Sequence, residues 1–207
     1  MQYLIAVLLG YILGSSNMAF YIAKGKKADL TAAGSGNLGA SNATILLGWK
    51  AGILVGIHDI GKAALAVILA RLLFPEAEYI GAAAGIAGVL GHIFPFWLKF
   101  KGGKGFASYL GMTLALNWKL ALCLITAVVI VTLITDYIVC GTFTTIITVP
   151  VYMGITSGSF LLAGILLIGT AVIFYKHREN IPRMLNGTEI GLRSAIRGDN
   201  KLKKPEE

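Results

Sequence analysis

The 207 residues are 56% hydrophobic and only 14% charged, with a mean hydropathy of +0.76, which excludes a soluble globular domain as the body of the protein. Apolar segments consume almost the whole length, so one polytopic membrane domain is expected over residues 1–193, followed by a basic tail over 194–207. The net charge of +8 comes with no nucleic-acid-binding motif, and in such a chain it reads as topological bias plus attraction to anionic membrane lipid.

A helix crosses the hydrocarbon layer with about 20 apolar residues. The first such run, 2–23, lacks the basic start and small-residue cleavage site of a signal peptide, so it is expected to remain as an anchor. Further runs at 51–74 and 79–98 predict two more spans, and 106–117 predicts a short helix that is tilted or partly buried. Runs at 120–135, 137–156 and 159–175 complete an all-α integral membrane protein of seven transmembrane helices. An odd number of crossings puts the termini on opposite sides. Fifteen of the eighteen lysines and arginines fall on one side, with Arg71 and Lys119 opposite and Lys62 inside a span, so the N-terminus is expected outside and the C-terminus in the cytoplasm.

Between the spans lie clusters that a bilayer does not tolerate unless they sit at its edge or line a polar cavity. The first is GSGNLGASN at 34–42. Gly34, Gly36 and Gly39 spell the dinucleotide fingerprint, but the strand and parallel sheet that give that fingerprint its meaning are missing. What remains is flexible backbone beside the neutral donors Ser35, Asn37, Ser41 and Asn42, a suitable lining for phosphate. The second cluster runs from Gly91 and His92 to KFKGGKG at 99–105, where Lys101 and Lys104 alternate with Gly102, Gly103 and Gly105. It is not a nucleotide loop, because Leu98 replaces the first required glycine and Gly105 stands where Ser or Thr is needed. The third is KHRENIPRMLNGTE at 176–189, in which His177 and Asn180 share a helix face and Pro182 is expected to end that helix. His177 suits a proton acceptor or a phosphate hydrogen-bond donor, and Glu189 suits a brace.

His58, Asp59 and Lys62 fall inside the second span, where charges cost about 2.5 to 3.5 kcal/mol on insertion scales. Asp59 and Lys62 are spaced to pair and glue helices. The row Gly81, Gly85 and Gly88 reads as close helix packing, and Cys123 and Cys140 as small packing residues. No metal-ligand set appears and no cofactor is expected.

GSGNLGASN, the Asp59 and Lys62 pair, GHIFPFWLKFKGGKGFAS at 91–108 and HRENIPRMLNGTE at 177–189 stand in the order found in the bacterial acyl-phosphate:glycerol-3-phosphate acyltransferases, the PlsY family, which the chain resembles over essentially its whole length. The resemblance implies an enzyme of the bacterial cytoplasmic membrane with seven helices and its motifs on the cytoplasmic side. It would move a fatty acyl group from acyl phosphate to the 1-hydroxyl of glycerol 3-phosphate, giving lysophosphatidic acid and phosphate. An enzyme that produces acyl phosphate is then a fitting partner. By position, Ser35, Lys104, His177 and Asn180 would be catalytic. Phosphate and substrate would meet Gly34, Gly36, Asn37, Gly39, Asn42, His92, Lys101, Gly102, Gly103, Gly105 and Arg178, while Asp59, Lys62 and Glu189 would be structural.

The chain departs from the family where it has Thr31 and Ile45 in place of arginines, and at Pro182. Arginine binds phosphate bidentately, so its loss weakens a substrate by about tenfold to a hundredfold or marks a divergent or inactive paralogue. Lys101, Lys104, Arg178, Arg183 and Arg193 are candidate replacement cations. Acyl phosphate is an activated anhydride, so positioning supplies much of the rate, with His177 or a substrate phosphate oxygen taking the hydroxyl proton. A binding or transport protein for a small phosphorylated solute is the competing class. It would favour inverted repeats with broken helices, and no internal repeat stands out.

Overall fold

The computed structural model describes residues 1–32 and 34–197, and among these there are helices and no strands. The greater part of the basic tail, 198–207, lies outside the described residues. Six helical stretches are long and apolar enough to cross a membrane: Gln2–Gly25, Trp49–Leu73, Ile80–Leu98, Trp118–Thr135, Ile138–Ser157 and Phe160–His177.

The first stretch is broken. α1, Gln2–Ser15, stops at Ser16, whose backbone is extended, and α2, Met18–Gly25, restarts under an Asn17 cap that accepts Phe20 N–H at 2.9 Å. After a glycine-rich loop come α3, Ala40–Leu47, and α4, Trp49–Leu73, separated by Gly48 at φ +89°. α5, Ile80–Ile93, leads through a 3-10 turn at Phe96–Leu98 into the lysine loop and α6, Phe106–Leu116. With 11 residues, α6 spans only about 16 Å at 1.5 Å per residue, too short to cross alone. Its Tyr109 and Met112 are fully buried, which is the partly buried helix that its length predicts. α7, Trp118–Thr135, α8, Ile138–Ser157, and α9, Phe160–His177, follow with tight connections, and the described chain ends in α10, Asn180–Leu185, and α11, Leu192–Arg197.

Pro182 does not end α9, as its position suggested. α9 stops at His177, and Pro182 is the third residue of α10, in the first turn, where its missing N–H has no helical partner to lose.

Side-chain size fixes the packing. Gly10 and Gly14 of α1 lie so close to α5 that an added Cβ would overlap the carbonyls of Ala84 and Gly88, and a Cβ on Gly91 would overlap the Tyr11 carbonyl. Ala84, Gly88 and Gly91 of α5 therefore form a seam with α1, while Gly81 and Gly85 face Val67 of α4 and, at Gly85, also Met112 of α6. The main core joins Val67, Ile86, Val89, Tyr109, Met112, Leu124, Ile146, Leu166 and Ile173 from six helices, and a smaller one under α2 and α3 joins Ala19, Leu30, Leu38, Ala43 and Val55. Leu4, Leu8, Ile12, Ile130, Ile134 and Phe160 point outward, as side chains facing lipid do.

Candidate active site

The loop before α3 is organised by Asn42. Its amide, fully buried in the first turn of α3, accepts Ser35 N–H at 2.9 Å and donates to the carbonyls of Leu30 at 2.8 Å and Asn37 at 2.9 Å. The loop wraps this side chain only because Gly34 and Gly36 take left-handed backbone, φ +62° and +66°, and because a Cβ on Gly34 would overlap Asn42 Oδ1. Ser35 Oγ accepts from Asn37 Nδ2 at 2.8 Å, which leaves the hydroxyl proton for a ligand. α3 starts at Gly39 with no side-chain cap, so its first N–H groups stay available beside Ser35. Upstream, Thr31 donates both its N–H and its hydroxyl to Asp29, which holds the Asp29 carboxyl below its ordinary range.

The second loop is built differently from what its glycines suggested. Gly102 and Gly103 are buried, and their N–H groups donate to the carbonyls of Ile93 at 3.1 Å and His92 at 3.2 Å. They let the loop close against α5. The uncapped helix start belongs to the next turn, where Gly105, buried and at φ +95°, precedes α6 without a side-chain cap. Lys104 stands at this N-terminus and donates through Nζ to Asn180 Oδ1. Asn180 donates to Glu189 Oε1 at 2.6 Å, and Arg183 Nε donates to Glu189 Oε2 at 2.8 Å, so one carboxylate aligns the amide and the guanidinium. Burial, reinforced by the Arg183 charge and offset by Glu189 and Glu179, pushes the Lys104 ammonium down to about 8. His177 is buried where α9 ends and its Nδ1 faces the Ile173 carbonyl at 2.8 Å. A carbonyl only accepts, so Nδ1 carries the proton and Nε2 keeps the lone pair.

These pieces meet around one cavity of about 410 Å³. Ser35, Asn37, Gly39, His92, Lys104, Gly105, His177, Asn180 and Glu189 line it, together with Arg183 and Asp59. Two helix N-termini without caps therefore face the same space as a lysine and an arginine, an arrangement made for anions. The rest of the lining is largely apolar, with Ile60, Leu110, Ile138, Val139 and Leu192, and Ile45 of α3 forms part of the wall.

Several residues singled out from sequence lie elsewhere. Gly34, Gly36, Asn42, Gly102 and Gly103 shape the two loops without lining the cavity. Lys101 is exposed beside a separate hollow between α2 and its loop. Arg178 turns outward, stacked 4.0 Å over the Tyr175 ring and bonded to the Tyr175 carbonyl, and the Arg193 guanidinium donates to the Leu133 carbonyl while its backbone N–H donates to Asp136. Lys62 is buried away from the cavity, 2.8 Å from Asp59. Thr132 and Thr142, which line the cavity, and the segment after Glu189 that folds over it carried no sequence signal, because only long-range packing brings them there. Arg183 did carry one, three residues after Asn180 on the same helical face.

A family model described as glycerol-3-phosphate acyltransferase matches residues 4–187. The chain belongs to the glycerol-3-phosphate acyltransferase family. Within it, the chain is 37% identical to glycerol-3-phosphate acyltransferase 1 of Oceanobacillus iheyensis, over 94% of this chain and 97% of that one. It is also 37% identical to the enzyme of Brucella suis, over 89% and 90%. The structure is similar to the crystal structure of PlsY (YgiH), an integral membrane glycerol 3-phosphate acyltransferase, in its glycerol 3-phosphate form, with a TM-score of 0.87, 34% identity and coverage of 94% and 97%. The lysophosphatidic acid form of that acyltransferase gives a TM-score of 0.83 at 34% identity, over 92% and 95%.

Proposed function

We propose that the protein transfers a fatty acyl group from acyl phosphate to the 1-hydroxyl of glycerol 3-phosphate, releasing phosphate and lysophosphatidic acid. One observation carries this reading: a single cavity combines a largely apolar lining with Ser35, Lys104, Arg183 and two uncapped helix N-termini. That is provision for a hydrocarbon chain and two phosphates. The donors around Ser35 and those around Lys104 hold the phosphates side by side. The substrate hydroxyl attacks the acyl carbonyl carbon, an ester C–O bond forms, the anhydride C–O bond breaks and phosphate leaves. His177 Nε2, the ring atom with the free lone pair, takes the hydroxyl proton, and N–H groups at the start of α6 stabilise the oxyanion. Asn180 and Glu189 hold Lys104 in place. No covalent enzyme intermediate is required, because the donor is already activated.

The domain responsible is residues 1–193, set in the bacterial cytoplasmic membrane and crossing it seven times if α6 counts as a buried crossing. Hydrogen bonds support that count. The Tyr3 hydroxyl donates to the Glu78 carbonyl, and Arg71 to the Ala115 carbonyl at 2.9 Å, which ties the N-terminus to the turn after α4 and joins the end of α4 to that of α6. On the opposite face, Asp136 binds the backbone of Arg193 at 2.8 Å, close to the lysine loop and α10. With the lysine-rich face inside, the N-terminus is outside and glycerol 3-phosphate enters from the cytoplasm.

Purified protein in lipid vesicles, given palmitoyl phosphate and glycerol 3-phosphate, is expected to release phosphate only when both are present. Release without the acceptor, or uptake of glycerol 3-phosphate without acylation, overturns the reading.

A further inference from the structure

The acyl-transfer scheme leaves a buried charged cluster without a task. Asp59 and Lys62 lie one turn apart on α4, 1% and 7% exposed, and pair at 2.8 Å. Two apolar residues would pack helices as well, and ionisable side chains within a span are costly, so direction is what the charges add. The Lys62 ammonium is in contact with three elements, by one ion pair and two hydrogen bonds. It meets Asp59 Oδ1 on its own helix, the Ser16 carbonyl at 2.6 Å in the break between α1 and α2, and His92 Nδ1 at 2.9 Å near the end of α5. His92 is 3% exposed and also stands 3.3 Å from Asp59 Oδ1.

His92 in turn supports the lysine loop. Its carbonyl accepts Gly103 N–H at 3.2 Å, and its ring lies so close beneath Gly103 that a Cβ there would overlap Nε2. Lys104 is the next residue. We propose that Lys62 is a positioning residue for Lys104: it pins the broken first span and the His92 ring to one point on α4, and His92 carries the loop that places the active-site ammonium. The inference rests on the assignment of Lys104 to the active site. It explains why the lysine loop follows α5 so tightly, and why the first span breaks at Ser16, where a carbonyl with no helical partner meets the cation.

The test is the double variant Asp59→Asn/Lys62→Met, which removes both charges and leaves no unpaired buried ion. In vesicles it is expected to insert and to melt close to the wild type, yet to lose about tenfold or more in kcat at saturating substrates. The alkaline limb of kcat/KM that Lys104 is expected to set near pH 8 in the wild type is expected to move upward as the ammonium leaves its half-buried seat. The charged groups that face Lys104, namely Arg183, Glu189, Glu179 and Lys176, and the neighbouring His177, are untouched, so a role confined to stability leaves the limb where it was. A stable double variant with wild-type kcat and an unmoved limb overturns the proposal.

Should the double variant fail to insert, a cycle between His92→Ala and Gly103→Ala decides. Gly103→Ala is expected to cost several-fold less once the ring beneath it is gone, and strictly additive losses overturn the proposal. Lys104→Ala separates the two readings. A wild-type rate there removes the active-site assignment itself, whereas a tenfold loss there beside an unaffected Asp59→Asn/Lys62→Met sinks the positioning role alone.

Discussion

A lysine that loses its proton near pH 8 binds phosphate over a limited range, and Lys104 is in that position because burial disfavours its charge more than Glu189 and Glu179 restore it. The second phosphate proton of a monoester leaves at about pH 6, so a dianion meets an ammonium only between that value and about 8. The plot of kcat/KM against pH is therefore expected to fall above about 8, and Lys104→Arg, which keeps its charge, to move that fall out of the accessible range. An unchanged limb in Lys104→Arg assigns it to another group. Ser35→Ala and Lys104→Ala are each expected to cut kcat/KM by about tenfold or more, the worth of one hydrogen bond to a charged group, while the protein still inserts. Wild-type rates in both exclude this cavity as the active site. Ile45 presents an apolar side chain to the same cavity, which Arg183, held by Glu189, also lines. Ile45→Arg is expected to lower the Michaelis constant for one of the phosphate substrates, and no change means that Arg183 already does the work.

At the scale of elements, the glycine seam between α1 and α5 shows what sequence reveals and what it hides. Gly81, Gly85 and Gly88 lie at a spacing that only a helix face explains, so close packing was legible. Their partners were not: Gly88 meets α1 some 75 residues away, whereas Gly81 and Gly85 face α4 and α6, and nothing local says which helix approaches which. The same holds for the lysine loop. Its lysines advertised anion chemistry, but its glycines serve closure against His92 and not exposure, a distinction that depends on which carbonyls receive their N–H groups. Likewise Asn42, one polar residue among several in its motif, proves to be the one that ties the loop together. The seam makes a direct prediction. Gly14→Leu forces a side chain into the backbone of Gly88 and is expected to cost about 1 to 3 kcal/mol or more, read as a lower melting temperature in detergent, while Gly25→Leu, whose Cβ position is open, is expected to cost far less. Equal losses at both sites dismiss the seam.

For the whole molecule, the spans were legible because a bilayer forces every backbone group to be satisfied within a segment, and long apolar runs are how a chain does so. The convergence of three distant motifs on one cavity was not, since it arises from how the helices pack and not from any run of residues. Sidedness joins the two levels. The lysines predict which face is cytoplasmic, and the contacts of Tyr3 with Glu78 and of Asp136 with Arg193 support the proposal that the N-terminus and the α10–α11 segment lie at different ends of the helices. In a variant with Cys123 and Cys140 replaced, a cysteine at the exposed Glu76, in the turn after α4, is expected to react with a membrane-impermeant maleimide added to intact cells. A cysteine at the exposed Asn186, after α10, is expected to react only once the membrane is opened. The reverse pattern would place Lys104 on the outer face, away from the proposed cytoplasmic entry of the acceptor, and labelling of both from one side would mean that α6 does not complete a crossing.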